Sequence, residues 1–162
     1  MEAPAPDHAD LLLVCSTGGH LLQLVALRDS WEPFSRVWVT FDKSDARSLL
    51  AGEHVVYAYG PTNRSIRNLL RNLWVARRVL ARVRPKVLVT TGAGVAVPFA
   101  WIARLRGTRV VYVESLARVE RPSLSYRLIA PVASRRYVQW PQLADAIGGD
   151  VRFVGNVFSA GT

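Results

Sequence analysis

The segment Ser16-Thr17-Gly18-Gly19-His20 combines small hydroxyl residues, two glycines and an imidazole. Adjacent glycines let backbone N–H groups approach a ligand closely. If a helix opens here, its free N–H groups and partial positive charge favour an anion such as a phosphate or diphosphate. A tight turn without ligand is the plainer alternative. His20 would lie in the first helical turn, where it can hold a phosphate, accept a proton from a hydroxyl, or simply cap and pack. His8 and His54 have no comparable company.

A second segment, Thr90-Thr91-Gly92-Ala93-Gly94, repeats the pattern and again favours an anion or a close backbone contact. Its G-x-G, with Glu114 about 20 residues later, resembles part of a dinucleotide fingerprint. Val97 stands where the third glycine belongs. The third segment is Val113-Glu114-Ser115. Glu114 can orient a sugar hydroxyl, act as a base, pair with Arg118 or Arg121, or cap a helix. Cys15 reads as a small buried strand residue, because no base lies near it in sequence. No Cys or carboxylate falls at metal-ligand spacing from a histidine, so no protein-held metal is expected.

A basic helix is predicted over 65–83. Ile66, Leu69, Leu70, Leu73, Ala76, Leu80 and Val83 recur at three- and four-residue steps and form an expected apolar face. Opposite it stand Arg67, Arg71, Arg78 and Arg82, with Trp74 between them. Such a stripe suits a membrane surface or a nucleic-acid backbone, or is the solvated side of a packed helix. No recognition module for nucleic acid accompanies it, and none is expected as a partner.

These residues need a scaffold. Apolar runs at 11–15, 36–40, 54–58, 86–90, 109–113, 136–139 and 151–154 read as buried parallel strands. Helical patterns at 20–30, 44–51, 65–83, 95–105, 122–133 and 142–147 alternate with them. The alternation predicts an α/β fold: a Rossmann-like parallel sheet with helices on both faces. Ligands of such sheets bind beyond the carboxyl ends of the strands, where all three segments fall. The expected division is a tail over 1–9, one domain over 10–156 and a short tail over 157–162.

Composition agrees. A chain of 162 residues, 50% apolar and 20% charged, fits one domain with a real core. A single cysteine rules out an internal disulfide and suggests a reducing compartment. No apolar stretch reaches the ~20 residues of a membrane span, and no export signal is read. The formal charge is +9, and no acidic residue occurs between Glu53 and Glu114, where eleven Arg or Lys fall. That zone predicts a positive face for phosphates or anionic headgroups.

Together the segments resemble a known family. Ser16–His20 is similar to the glycine-rich histidine loop of the membrane-associated N-acetylglucosaminyltransferase that completes the lipid-linked peptidoglycan precursor. It is similar also to the acceptor-side subunit of the two-part eukaryotic enzyme that adds the second N-acetylglucosamine to dolichol diphosphate. Thr91-Gly92-Ala93-Gly94-Val95-Ala96-Val97-Pro98-Phe99, Val113-Glu114-Ser115-Leu116-Ala117-Arg118-Val119 with Pro122-Ser123-Leu124, and Val138-Gln139-Trp140 resemble bacterial exopolysaccharide and capsule homologues of that subunit. Val154-Gly155-Asn156 resembles the point where single-chain relatives cross into a donor-binding domain.

The resemblance implies the N-terminal half of a GT-B glycosyltransferase: the acceptor-binding subunit of a split enzyme. It would transfer a sugar, with inversion, from a UDP donor to a polyprenyl-diphosphate-linked saccharide. Gly18 and Gly19 would cradle the diphosphate, His20 would hold phosphate or assist deprotonation, and Glu114 would orient or activate the hydroxyl. Gly92 and Gly94 would admit the acceptor, with Ser16, Thr17, Thr91, Ser115 and Arg118 completing the binding set. No cofactor is implied; the UDP-sugar is a co-substrate bound mainly by a small donor-binding partner. The eukaryotic subunit has an N-terminal membrane anchor. None is read here, so Arg67, Arg71, Trp74, Arg78 and Arg82 are expected to hold the chain at the cytoplasmic face of the membrane. An acidic residue usual in helix one of that subunit is replaced, with Leu22 and Gln23 in the area. The alternative is a non-catalytic recruiter of a complete catalytic partner; a nucleotide-cofactor oxidoreductase is a third reading.

Overall fold

The computed structural model describes residues 6–62 and 65–158. Seven parallel strands form one sheet in the order β3-β2-β1-β4-β5-β6-β7. They are β1 Leu11–Val14, β2 Arg36–Phe41, β3 Val55–Ala58, β4 Val87–Thr90, β5 Arg109–Val113, β6 Arg135–Val138 and β7 Arg152–Phe153. All seven expected strands are present. β1 pairs with β2 through Leu11↔Arg36 and with β4 through Leu11↔Val87, so the chain reverses its winding direction between β1 and β4. A crevice opens at such a switch point, beyond the carboxyl ends of the strands.

The helices are α1 Gly19–Ala26, α2 Arg28–Trp31, α3 Ser44–Leu49, α4 Ile66–Val83, α5 Ala96–Leu105, α6 Leu124–Ile129 and α7 Pro141–Ile147. Period-two alternation sends Leu12 and Val14 to one face of the sheet and Leu11, Leu13 and Cys15 to the other. The first face packs on Ala76 and Leu80 of α4, Phe99 and Ala100 of α5 and Ile129 of α6. The second packs on Leu21 and Leu24 of α1, Trp31 of α2 and Ala46 of α3. Central strands buried on both sides are why they read as continuous apolar runs.

Three differences from the sequence reading have local causes. The helix expected over 20–30 breaks at Leu27, because the Trp31 indole takes the Leu24 carbonyl at 2.7 Å, the acceptor an unbroken helix would offer to the Arg28 N–H. α6 starts only after Ser123, whose hydroxyl caps the Tyr126 N–H, and it stops before Pro131, which cannot continue it. Ala9, placed in the tail, is buried, and its N–H donates to the Val83 carbonyl.

The fourth difference matters for function. Ile66, Leu69, Leu70 and Leu73 do not face the core: Ile66 is 74% and Leu70 60% exposed. The buried stripe of α4 is Asn72, Ala76, Val79, Leu80 and Val83. Asn72 fixes the helix rotation by pairing both backbone groups of Tyr59: it accepts the N–H at 2.8 Å and donates to the carbonyl at 2.9 Å. Length does the rest. Eighteen helical residues rise about 27 Å, whereas its four-residue neighbours β3 and β4 rise about 13 Å each. A helix returning from β3 to β4 begins at the strands' carboxyl ends, so the overhanging apolar turns lie at the same end of the domain as the switch-point crevice.

Candidate functional site

The two glycine loops flank the switch point. Gly18 caps α1 with φ 73°, a conformation glycine adopts without penalty, and no side chain caps the helix. Gly18 and Gly19 are exposed, with open space where a side chain would stand. His20 follows at the second helical position. Its Nδ1 lies 2.7 Å from the carbonyl of Thr91, the residue just after β4. The Thr91 hydroxyl returns the link by donating to the His20 carbonyl at 2.7 Å. A carbonyl only accepts, so Nδ1 carries a proton, and of the two neutral tautomers the contact selects the one with Nε2 unprotonated. The loop after β1 and the loop after β4 are thereby one unit, with the imidazole held in a single tautomer and orientation.

Several expected ligand groups are already engaged within the chain. The Gly18 N–H donates to the Asp45 carboxylate of α3 at 2.8 Å, so an internal anion occupies one arm of the expected phosphate cradle. The Ser16 hydroxyl turns to the Thr17 carbonyl. A Cβ on Gly92, at φ 98°, would sit 2.7 Å from the Tyr112 hydroxyl, and one on Gly94 would sit 3.0 Å from the Thr62 hydroxyl. Close internal packing by itself favours glycine at both positions. Ala93 between them has φ 71°, a left-handed conformation that strains a residue with a side chain.

Glu114 is fully buried and its carboxylate is shared among four donors. Oε1 accepts from the Ser115 N–H at 2.8 Å, the Ser123 hydroxyl at 3.0 Å and the Tyr112 hydroxyl at 3.2 Å, and Oε2 accepts from the Ser123 N–H at 2.8 Å. This staples the β5–α6 loop to the sheet end, which matches the capping alternative for Glu114. Burial, and then the Glu114 charge, push the Tyr112 phenol well above its ordinary range, so it stays a donor. The Ser115 hydroxyl accepts from the Ala117 N–H, and the Arg118 N–H donates to the Ser115 carbonyl while its side chain is exposed. Burial also raises the Cys15 thiol to about 12, as suits an inert strand residue.

Two residues to which the sequence reading gave no role, Gln23 and Trp140, complete the arrangement. Gln23 lies three positions after His20 on α1, 4% exposed, and its Oε1 accepts from the Leu116 N–H at 2.7 Å. Trp140 holds the other backbone group of the same residue, its indole donating to the Leu116 carbonyl at 2.7 Å. The i, i+3 spacing from His20 was the available signal for Gln23; nothing local marks Asp45. Among the described residues no group of His, Cys, Asp or Glu could hold a metal.

On α4, Arg67, Arg71, Arg78 and Trp74 are exposed beside the apolar turns. Arg78 stacks 4.4 Å from the Trp74 ring and Arg71 lies 5.2 Å from the Tyr59 ring. Arg82 pairs with Asp7 at 2.9 Å. No helix among the described residues is long and apolar enough to cross a membrane.

Residues 58–157, which contain α4 and both later segments, match the family model for oligosaccharide biosynthesis proteins that are Alg14-like. The chain belongs to the Alg14-like family. It is 28% identical over 170 residues to the UDP-N-acetylglucosamine transferase subunit ALG14 of Debaryomyces hansenii, covering 84% of this chain and 71% of the relative. The mouse subunit of the same name is 27% identical over 167 residues, covering 83% of this chain and 77% of the relative. Among solved structures, the MurG of Acinetobacter baumannii superposes with a TM-score of 0.73 at 16% identity, covering 91% of this chain and 45% of that one. The Alg14-like chain thus spans under half the length of that GT-B neighbour and has the Rossmann-like fold of one half of it.

Proposed function

We propose that this Alg14-like protein is the acceptor-binding subunit of a split UDP-sugar glycosyltransferase acting on a polyprenyl-diphosphate-linked saccharide. The observation that carries this reading is the imidazole of His20, oriented by Thr91 at the switch point with open glycine-loop backbone beside it. The acceptor diphosphate lies over the first turn of α1, where no side chain caps the free N–H groups. The acceptor hydroxyl attacks the anomeric carbon of the donor sugar with inversion, the bond to UDP breaks, and the hydroxyl proton passes to Nε2 of His20. The donor-binding half of the cleft comes from a partner polypeptide, as the word subunit in the relatives' names suggests. Glu114 acts here by fixing the loop that borders the acceptor, not as the base. The exposed apolar turns of α4 and their arginines rest on the cytoplasmic face of the membrane, with the lipid's own site at the same end of the domain.

The recruiter alternative is favoured by one specific observation: Asp45, Tyr112, Thr62 and the donors around Glu114 already occupy most of the groups expected to meet a ligand. His20→Ala separates the two. Transfer of radiolabelled sugar from UDP-N-acetylglucosamine to a polyprenyl-diphosphate saccharide is measured with the chain and its donor-binding partner together. An acceptor-binding subunit loses about 10²–10⁴-fold in kcat. Unchanged kcat, with binding to the partner intact, establishes the recruiter and sinks the role of His20.

A further inference from the structure

Helices cover the sheet unevenly. From β1 the chain winds outward to β3, and from β4 it winds outward to β7 in the opposite direction. Right-handed crossovers therefore put α1, α2 and α3 on the face that carries Leu11 and Leu13, and α4, α5 and α6 on the other. α7 joins the second group, since Ile147 packs with the cluster around Leu12. Lateral register carries the Leu11–Leu13 face across to the far strands: Leu13 pairs with Val89, Val89 with Val111, Val111 with Arg135 and Tyr137 with Arg152. The cover from α1 and α2 reaches only Val87 and Val89 of β4. Val111 and Tyr137 beyond them are partly exposed and belong to neither packed cluster. No helix among the described residues lies over them, although a parallel sheet is ordinarily covered on both faces. The strip over β5 and β6 is about 10 Å wide, the diameter of one α-helix. A cavity of about 310 Å³ borders it, between Leu27, Trp31 and Phe34 on one side and Val87 and Val89 on the other. Charge marks the strip as well. Arg109, Arg135 and Arg152 open β5, β6 and β7 on this same face. All three are exposed, and none forms an ion pair with a described residue. Each lies one strand across and two residues along from the last, so they form a diagonal line with steps of about 8 Å.

We propose that the uncovered strip over β5 and β6 is the seat of one amphipathic helix, edged with carboxylates, that the donor-binding partner supplies. This rests on the split-enzyme reading above. The helix lays its apolar stripe on Val111 and Tyr137, sets one large apolar side chain in the cavity beside Trp31, and turns its acidic edge to Arg109, Arg135 and Arg152. Charge chooses this occupant over a second copy of the chain, because a two-fold contact would set the arginine line against itself. It is chosen over a lipid surface because the apolar turns of α4 lie on the opposite face of the sheet.

Thiol footprinting tests this. The single native cysteine, Cys15, is buried and stays silent toward a maleimide. Val111→Cys and Tyr137→Cys are made separately, with Leu105→Cys on exposed α5 as the control. Labelling rates are measured for the free chain over a range of concentrations and for its complex with the donor-binding partner. The strip thiols of the free chain should react quickly at every concentration and slow about tenfold or more in the complex, while the control is unchanged. Reversing Arg109, Arg135 and Arg152 to Glu together should weaken partner binding about 100-fold, with the free chain still folded by circular dichroism. Strip thiols that label equally fast in a complex competent for sugar transfer overturn the proposal. Slow labelling of the free chain at all dilutions means that its own remaining residues cover the strip, and protection that grows with its concentration means a second copy; either overturns the proposal. If the cysteine variants do not fold, the arginine reversals decide, and unchanged affinity overturns it. A chain that transfers sugar without any second polypeptide overturns the split-enzyme reading itself, whereas an unprotected strip in an active complex leaves that reading standing.

Discussion

At the residue scale, similar polar side chains at one sheet end do opposite things. His20 is held by one carbonyl at Nδ1, which on the proposed reading leaves Nε2 for an incoming group, whereas the carboxylate of Glu114 is consumed by Tyr112, Ser115 and Ser123. Replacing Glu114 by Gln would turn one oxygen into an NH2 facing the donors around it, so a buried donor is left opposed to another donor. The expected cost is about 2–4 kcal/mol, read as a fall of roughly 5–15 °C in melting temperature. The kcat of the folded fraction, measured at a permissive temperature, should stay within a few-fold. A folded Glu114→Gln protein with its melting temperature unchanged and its transfer abolished would instead make Glu114 the base. None of this division was legible in the sequence. Glu114 stood out correctly as a strand-end carboxylate, but its partner Ser123 comes from the start of a helix nine positions on, and only the folded loop brings the two together.

At the element scale, α4 departs most from its pattern. Heptad-like spacing identified a helix and its ends, Ser65 and Arg84, within a residue. It could not say which of two apolar arcs turns inward, because that was settled by Asn72, a polar residue paired to a distant backbone segment. The outcome is a helix whose first half presents Ile66, Leu70 and Trp74 to the outside with Arg67, Arg71 and Arg78 alongside. Each arginine near an anionic surface contributes about 1 kcal/mol. Reversing Arg67, Arg71 and Arg78 to Glu is therefore expected to weaken co-sedimentation with phosphatidylserine vesicles by 100-fold or more. Trp74→Ala should weaken it less and with little dependence on salt. If both variants sediment as wild type does, α4 is a solvated helix and the membrane contact lies elsewhere.

For the whole molecule, the parallel sheet with helices on both faces followed from the alternation of apolar runs, since a run buried on both faces has few other homes; the strand order is visible only in the folded chain. The links that make the sheet end a site run between loops far apart in the chain, and hence escaped the sequence: Thr91 to His20, Leu116 to Gln23, Asp45 to Gly18. Global stability should fall in alkali. Burial raises the Cys15 thiol from 9.0 to about 12 and also raises the Tyr112 phenol. A folded-state pKa above the unfolded one means stability that is complete below the unfolded value and is lost as pH rises past it. The loss from Cys15 begins near pH 9 and grows by up to about 1.4 kcal/mol per pH unit, with Tyr112 joining above its own unfolded value near 10. Urea midpoints of wild type and Cys15→Ala between pH 8 and 10 measure the thiol's share. Parallel curves would show that the thiol does not stay protonated in the native protein.

The bond from Gly18 to Asp45 has a consequence for turnover. On the proposed acceptor-binding reading, an incoming phosphate finds its seat warm: it must evict a resident carboxylate before it can settle. Small free phosphates with nothing else to hold them would lose that competition, while a lipid gripped at several points would win it. On that reading the same competition would help to expel the elongated lipid afterwards. Asp45→Asn keeps a hydrogen-bond acceptor at the loop and removes its charge. It is expected to tighten inhibition of the complex by inorganic pyrophosphate about tenfold, and an unchanged inhibition constant would mean that anions dock away from this turn.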